Sequence, residues 1–257
     1  MRHLWLTILA LLFASVPIPA GAHGEVTARS IVEHAIALAG GDGWRDAKTL
    51  HMKGHATLYR GGLEERKTEA TRYEMWRVYA DANDAAHRAN GRFRLDAFVG
   101  ERPIFQTAFD GEHNYDTNGL RADAESSGDD ESGAYGFGII RFALKEGFTL
   151  ERLADDQIDG NPAYFVRVTD PQGGVTLFGF DAKDYAIRMV AYNTPRGWHE
   201  RVYSEFEVKE DPRFRQATRV RFFYDGIKTV DVKWEEWSIN QPLSIETFRI
   251  EPRSIAI

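Results

Sequence analysis

From Lys48 onward apolar and polar residues alternate: Leu50, Met52, Gly54, Ala56 and Leu58 interleave with His51, Lys53, His55, Thr57 and Tyr59. A period of two places each set on one face of the chain, so the pattern predicts a half-buried β-strand. Similar runs recur almost to the end, at 68–80, 92–99, 104–109, 163–169, 175–181, 185–193, 198–208, 218–224 and 228–239. Between them lie Arg60-Gly61-Gly62, Asn90-Gly91, Asp110-Gly111, Asp159-Gly160, Gly173-Gly174 and Asp225-Gly226, which supply the positive φ of tight turns. About ten strands joined in this way form an antiparallel meander.

Two segments break the strand period. Residues 27–39 carry Ala28, Ile31, Val32, Ala35, Ile36, Leu38 and Ala39 at helical spacing, with Thr27 or Ser30 as a cap and Gly40-Gly41 as a stop. Residues 135–145 place Phe137, Ile139, Ile140, Phe142, Ala143 and Leu144 at spacing that also suits a helix, preceded by an acidic loop at 123–132. Among the strands, Val220, Phe222 and Tyr224 oppose Arg219 and Arg221, and Val202, Phe206 and Val208 oppose Arg201, Glu205 and Glu207. In the last strand Val230, Val232 and Trp234 occupy even positions but Trp237 and Ile239 odd ones, so one extra residue at Glu235-Glu236 predicts a β-bulge and a bent strand. The fold class expected is mainly β with a few helices (α+β): a curved antiparallel sheet forming an open half-barrel of about 10–11 strands, covered by the helices.

The first 22 residues are those of an export signal: Arg2, an apolar run over 4–16, then Ala20-Gly21-Ala22. As a helix that run rises only about 20 Å, short of the roughly 30 Å hydrocarbon core of a bilayer. The expectation is a cleaved signal over 1–22 and one periplasmic domain over 23–257. The chain has 257 residues, no cysteine and a formal charge of −7, which removes disulfides, thiol nucleophiles and Cys-ligated zinc, and gives phosphate backbones no basic footprint. Nucleic acid is therefore not an expected partner.

Catalytic chemistry finds little support. His51 and His55 share a strand face but stand roughly 13 Å apart, too far to share a metal ion. His113, near Asp110, Glu112 and Asp116, and His199, beside Glu200, lack a nucleophile at a known spacing. The string from Asp110 to Gly119 alternates oxygen ligands but lacks the calcium-loop arrangement and suits a hairpin tip. No nucleotide-binding, nucleophile-elbow or zinc-protease motif is present, so no cofactor, no metal and no enzymatic activity are expected. Aromatic content is the more informative feature. Trp76, Phe93, Phe105, Phe109, Phe137, Ile140, Phe222 and Trp234 are the candidate ligand-binding residues for an apolar molecule held inside a curved sheet.

The helix ending in Ala39-Gly40-Gly41, then Trp44, Ala47-Lys48-Thr49-Leu50 and the strand with Gly54, resembles the start of the periplasmic lipoprotein carriers of the LolA type. Asp159-Gly160-Asn161-Pro162-Ala163-Tyr164 through Val168, the strand closing on Phe180-Asp181, and Asn240-Gln241-Pro242-Leu243 with Phe248 and Pro252 resemble outer-membrane lipoprotein-sorting-like proteins. The resemblance implies an unclosed barrel of about eleven strands capped by helices, a cavity for acyl chains, and an arginine latching a lid, for which Arg141 is the candidate. Expected partners are a lipid or acylated protein, in a carrier or sensor role. The alternative is an envelope protein-interaction module with a filled core and no small-molecule ligand.

Overall fold

The computed structural model of the protein describes residues 26–79, 91–121 and 137–252. The export segment and the acidic loop expected from the sequence lie outside these residues.

Helix α1 (Ala28–Ala39) begins where the Thr27 side chain accepts the Ser30 N–H, and it buries Ala28, Ile31, Val32, Ala35 and Ile36 along one stripe. It ends at Gly40, which has φ 138° and lies so close to a distant strand that an added Cβ would sit 2.1 Å from the Arg213 carbonyl oxygen. Only glycine fits there. A single turn, α2 (Asp42–Arg45), buries Trp44 and leads into β1 (Thr49–Tyr59).

The first half of the sheet continues with β2 (Lys67–Val78), β3 (Arg92–Val99), β4 (Arg102–Phe109), β5 (Asn114–Asp116) and β6 (Gly119–Leu120). Helix α3 (Phe137–Ile140) follows, then β7 (Thr149–Arg152), β8 (Asp156–Ile158), β9 (Asn161–Thr169), β10 (Val175–Asp181), β11 (Ile187–Thr194), β12 (Gly197–Glu210), β13 (Arg213–Tyr224) and β14 (Ile227–Ile239). All pair antiparallel in one sheet with the order β6-β5-β4-β3-β2-β1-β14-β13-β12-β11-β10-β9-β7, and β8 pairs with β9. The two halves meet where the first strand pairs with the last, and the sheet is not closed into a barrel. The strands missing from the sequence reading, β5 to β8, have two to four residues each, too few for an alternation to register.

The bulge falls where the hydrophobic phase predicts it. Lys53 pairs with Glu236 and Gly54 with Trp234, so Glu235 is the extra residue, and Val232, Trp234, Trp237 and Ile239 are all buried. On its other side β1 shifts register again, between Gly54 and Ala56. A Cβ at Gly54 would lie 2.0 Å from the Lys233 carbonyl oxygen, so the close approach of β14 depends on glycine there.

Two expectations are corrected. Among the described residues of the helix expected over 135–145, Phe137–Ile140 are helical; the chain then tightens into successive turns in which the Phe142, Ala143 and Lys145 amides bond three residues back. Residues 139–143 are all buried, a run that an amphipathic helix could not hide but a coiled turn can. In β12 the expected face is inverted over its first half. Tyr203 joins the main core, whereas Val202 packs with Ile158, Ala163, Met189 and Ala191 in a second, smaller core. The phase changes at Glu205, whose φ is 54°, so that Phe206 packs against the main core and Val208 is exposed.

The main core lies on the concave face, filled at one end by α1 against β13. The second core lies on the convex face of β9 to β13, as the alternating partners show: Val166, Phe178 and Val190 are inside, Phe165, Leu177 and Ala191 outside. Gly54→Ala is expected to lower the unfolding free energy by about 2–3 kcal/mol. Gly138→Ala, where an added Cβ meets nothing within 4 Å, should change it by no more than about 0.5 kcal/mol. Urea denaturation of the two variants beside the parent protein measures the difference.

Candidate functional site

Away from α1, the concave face is lined by tyrosines and arginines. Strand β2 turns Tyr73, Met75 and Arg77 to the same side, with Tyr79 just beyond, because Tyr73 pairs with Gly54 and Arg77 with Leu50 of the core. Strand β12 contributes His199, Arg201 and Tyr203, with Arg201 in register with Val190 of β11 and Phe222 of β13. Tyr192 arrives from β11 and Tyr224 from β13.

Arg201 is held by several of these groups at once. Its Nη2 donates to the Tyr192 hydroxyl at 2.9 Å, its Nε donates to His199 Nε2 at 3.0 Å, and it also hydrogen-bonds the Tyr203 side chain. The guanidinium stands 5.4 Å from the Phe222 ring centre. His199 is 2% exposed and packed among Tyr192, Phe222 and Tyr224 at 5.2, 5.9 and 4.5 Å. Burial, reinforced by the charge of Arg201, pushes its pKa down to about 3. A neutral ring that accepts at Nε2 carries its proton on Nδ1.

Arg77 is surrounded differently. Burial lowers its pKa most; Tyr79, Tyr203 and Tyr192 oppose the shift and the neighbouring charge of Arg201 adds to it. Burial is also the largest single influence on Arg201, although its tyrosine neighbours turn the net shift upward. Neither side chain is sealed, since both remain partly exposed.

Arg141, from the turn after α3, is 4% exposed. Its Nη1 donates to the Ala47 carbonyl at 3.1 Å, its Nη2 donates to that of Trp44, and the guanidinium lies 3.7 Å from the Tyr79 ring centre. These contacts pin the turn to the chain entering β1. At the α1 end, a pocket among Ala35, Ala39, Trp44, Tyr185, Ile187 and Phe206 holds about 20 Å³, room for one water rather than an acyl chain.

No protein-family model matches the chain, and no curated protein is similar to it in sequence. Solved structures do match. One is a DUF1329 family protein from Desulfovibrio piger, at 11% identity and TM-score 0.54 over 86% of this chain and 97% of that one. Another is a LolA superfamily protein from Nitrosomonas europaea, at 11% identity and TM-score 0.52 over 87% of this chain and 97% of that one. The chain has a LolA-like fold.

Within this LolA-like half-barrel the candidate ligand residues separate. Phe93, Phe109, Phe222 and Trp234 lie on the concave side: Phe93 pairs with both Arg77 and Phe109, and Trp234 packs 5.4 Å from Tyr73. Phe105 is in register with the buried Ala97 yet is itself 40% exposed. Ile140 is fully buried in the core, and Phe137 opens α3 with its side chain outside the described residues. Trp76 does not join them. It lies on the convex side, stacked on His51 at 5.2 Å beside the His51–Glu74 pair, because it is one residue out of phase with Met75 and Arg77. Aromatic counting overlooked Arg77, Arg201 and His199, whose signal was polar residues at inward positions of strands.

The remaining candidates have structural partners. His55 contacts Glu235, and His113 lies 3.8 Å from Asp110 at a hairpin tip. Burial would raise the Asp110 pKa, but the His113 and Glu112 amides, the Tyr115 hydroxyl and Arg249 bring it down to about 2. Among the described residues no helix is long and apolar enough to cross a membrane, and no three His, Asp or Glu side chains gather as a metal site.

His199 makes stability depend on pH. Its pKa drops from 6.5 to about 3 on folding, so between those values the unfolded chain holds a proton that the folded one refuses, and stability falls as pH falls. The limiting slope for one such group is about 1.4 kcal/mol per pH unit. His199→Gln, which keeps an acceptor for Arg201, is expected to lose roughly 2 kcal/mol less than the parent between about pH 6 and 4.5, as read by urea denaturation at the two pH values.

Proposed function

We propose that this protein binds an apolar ligand, a lipid or the acyl chain of a lipoprotein, on the concave side of its half-barrel, as a carrier or sensor without covalent chemistry. The observation that carries the reading is the aromatic row Phe93, Phe105 and Phe109 on the concave side of β3 and β4, where Phe105 keeps 40% of its surface exposed. The opposite face of these strands is covered, since Arg94 there pairs with Asp96 and donates to the Thr247 and Arg249 carbonyls of the C-terminal segment. Apolar surface left open on the inner side of a curved sheet is suited to an acyl chain, each buried methylene of which contributes about 0.8 kcal/mol.

The LolA-like fold supports the same reading. Residues 1–22 act as a cleaved export signal and residues 23–257 form one periplasmic domain. Ligand entry involves release of the Arg141 latch from the Trp44 and Ala47 carbonyls. A second reading, docking of an envelope protein along a sheet edge, is favoured by Leu120, 58% exposed on the terminal strand β6.

Native mass spectrometry of the protein purified from a periplasmic extract, followed by lipid extraction, tests the proposal. The expected result is a co-purifying acyl species whose occupancy falls about 10-fold or more in Phe105→Asp, a substitution at an exposed position that leaves the fold intact. A ligand-free protein that also fails to take up added lipid would shift the reading to protein docking.

A further inference from the structure

Eight neighbouring strands of the sheet, from β2 across β1, β14, β13, β12, β11 and β10 to β9, are four hairpins whose turns all lie at one end. The register keeps those turns level. One row of partners, Arg167, Leu177, Ala191, Glu200, Phe223 and Lys228, crosses six strands just inside them, and Leu58 pairs with both Val230 and Thr68 in the other two. Three of the turns are also locked together. The Asp225 amide donates to the Trp198 carbonyl at 2.8 Å, the Trp198 amide donates to Asp225 Oδ1 at 2.9 Å, and Lys228 Nζ donates to the Tyr59 hydroxyl at 3.1 Å. Gly62 lies so near the β13–β14 turn that a Cβ there would meet Ile227 Cγ2 at 2.3 Å. Each turn carries a large apolar side chain in it or beside it: Leu63, Val175 and Ile227 are exposed and Trp198 is half-buried. At the opposite end, the turns that join β10 to β11 and β12 to β13 carry none of the exposed large apolar side chains of the described residues.

We infer that these four turns form a rim that rests on a lipid bilayer, with Leu63, Val175 and Ile227 inserted among the head groups. The inference concerns the outer end of the half-barrel and stands apart from the ligand reading above. Strands lie about 4.8 Å apart, so successive hairpins recur about every 10 Å across the sheet, and polar turn residues separate one apolar tip from the next. A protein partner is met by a continuous apolar centre depleted of charge. Single apolar tips set among charges suit the head-group layer instead, where each tip enters alone and the turn backbone stays hydrated. The rings behind the tips fit the same boundary: the Arg196 guanidinium lies 4.2 Å from the Tyr224 ring centre, and Lys228 Nζ lies 4.2 Å from that of Tyr59. Both are pairs with an apolar body and a charged end. Charge agrees with the assignment. The chain carries −7 overall, yet residues 60–67, 170–174, 195–196 and 225–228 together hold five cations and four carboxylates. Two of those carboxylates, Asp170 and Asp225, accept backbone amides of the turns. The acidic excess of the protein therefore lies elsewhere, and this end can approach an anionic lipid surface.

Flotation of the protein, purified from a periplasmic extract, with vesicles of phosphatidylethanolamine and phosphatidylglycerol tests the rim. The expected result is co-flotation whose partition falls about 10-fold or more in a variant carrying both Leu63→Asp and Ile227→Asp. Val208→Asp, at an exposed position of β12 near the opposite end, should leave it unchanged. The chain has no cysteine, so an environment-sensitive fluorophore attached at Ile227→Cys or at Val208→Cys reports one place alone. Its emission is expected to shift to the blue on addition of vesicles at 227 and to stay fixed at 208, a readout that decides the matter even where the double variant fails to fold. Absence of co-flotation overturns the rim, as does co-flotation that the folded double variant retains. Phe105→Asp separates this surface from the concave face and is expected to leave flotation intact. Flotation lost in Phe105→Asp but kept in the double variant would assign the lipid contact to the concave face and overturn the rim. Uptake of dispersed lipid by a protein that does not float overturns the rim and leaves the apolar-ligand reading standing.

Discussion

Everything in this structure depends on the bend of β1 at Gly54. A sheet of fourteen strands cannot wrap round a helix and a core unless its central strands curve, and β1 is the strand that pairs on one side with β2 and on the other with the distant β14. Register shifts on both sides of Gly54, with Glu235 looped out opposite, turn the strand without breaking its ladders. Because the residue has no Cβ, the β14 backbone closes to a distance that any side chain would forbid. The apolar phase of β14 follows from the same bulge: Trp234 and Trp237 face one core although three positions separate them.

Curvature gives the two faces different electrostatic characters. Outside, guanidiniums meet carboxylates, some at the surface where water screens them, as Arg167 with Glu151, and some under cover, as Arg94 with the buried Asp96 beneath the C-terminal segment. Inside, Arg77 and Arg201 meet tyrosines and a neutral histidine. Tyrosine hydroxyls suit such a setting because they accept from the guanidinium, as Tyr192 does from Arg201, and still donate elsewhere.

Periodicity revealed most of the architecture. The alternation in β1, the bulge in β14 and the helical stripe of α1 all survive in the structure because each is long enough for its phase to be counted. The four shortest strands and the tight turns after Ile140 have no countable phase. The inverted half of β12 has a different cause. Val202 is apolar and buried, as its sequence suggests, but in the convex core, because β9 to β13 are covered on both faces and hydrophobicity alone does not distinguish two buried sides. For the same reason Trp76 looked like a cavity residue and Arg77, its neighbour, did not. The candidate site was legible only in part, since its aromatic row follows from composition and alternation, whereas the inward Arg77 and Arg201 required knowing which parity of β2 and β12 faces the core.

The seam between β1 and β14 also bears on when the protein becomes functional. Its partners are separated by most of the sequence, Leu50 lying against Ile239 and Leu58 against Val230. Contacts of such separation form late, because the chain between them must be gathered before any of their energy is recovered. Arg77 belongs to the half of the sheet on the β1 side of the seam and Arg201 to the half on the β14 side, so the two come to share one face through that pairing. The concave face thus spans both halves of the chain and is complete only with the final strand in place between them.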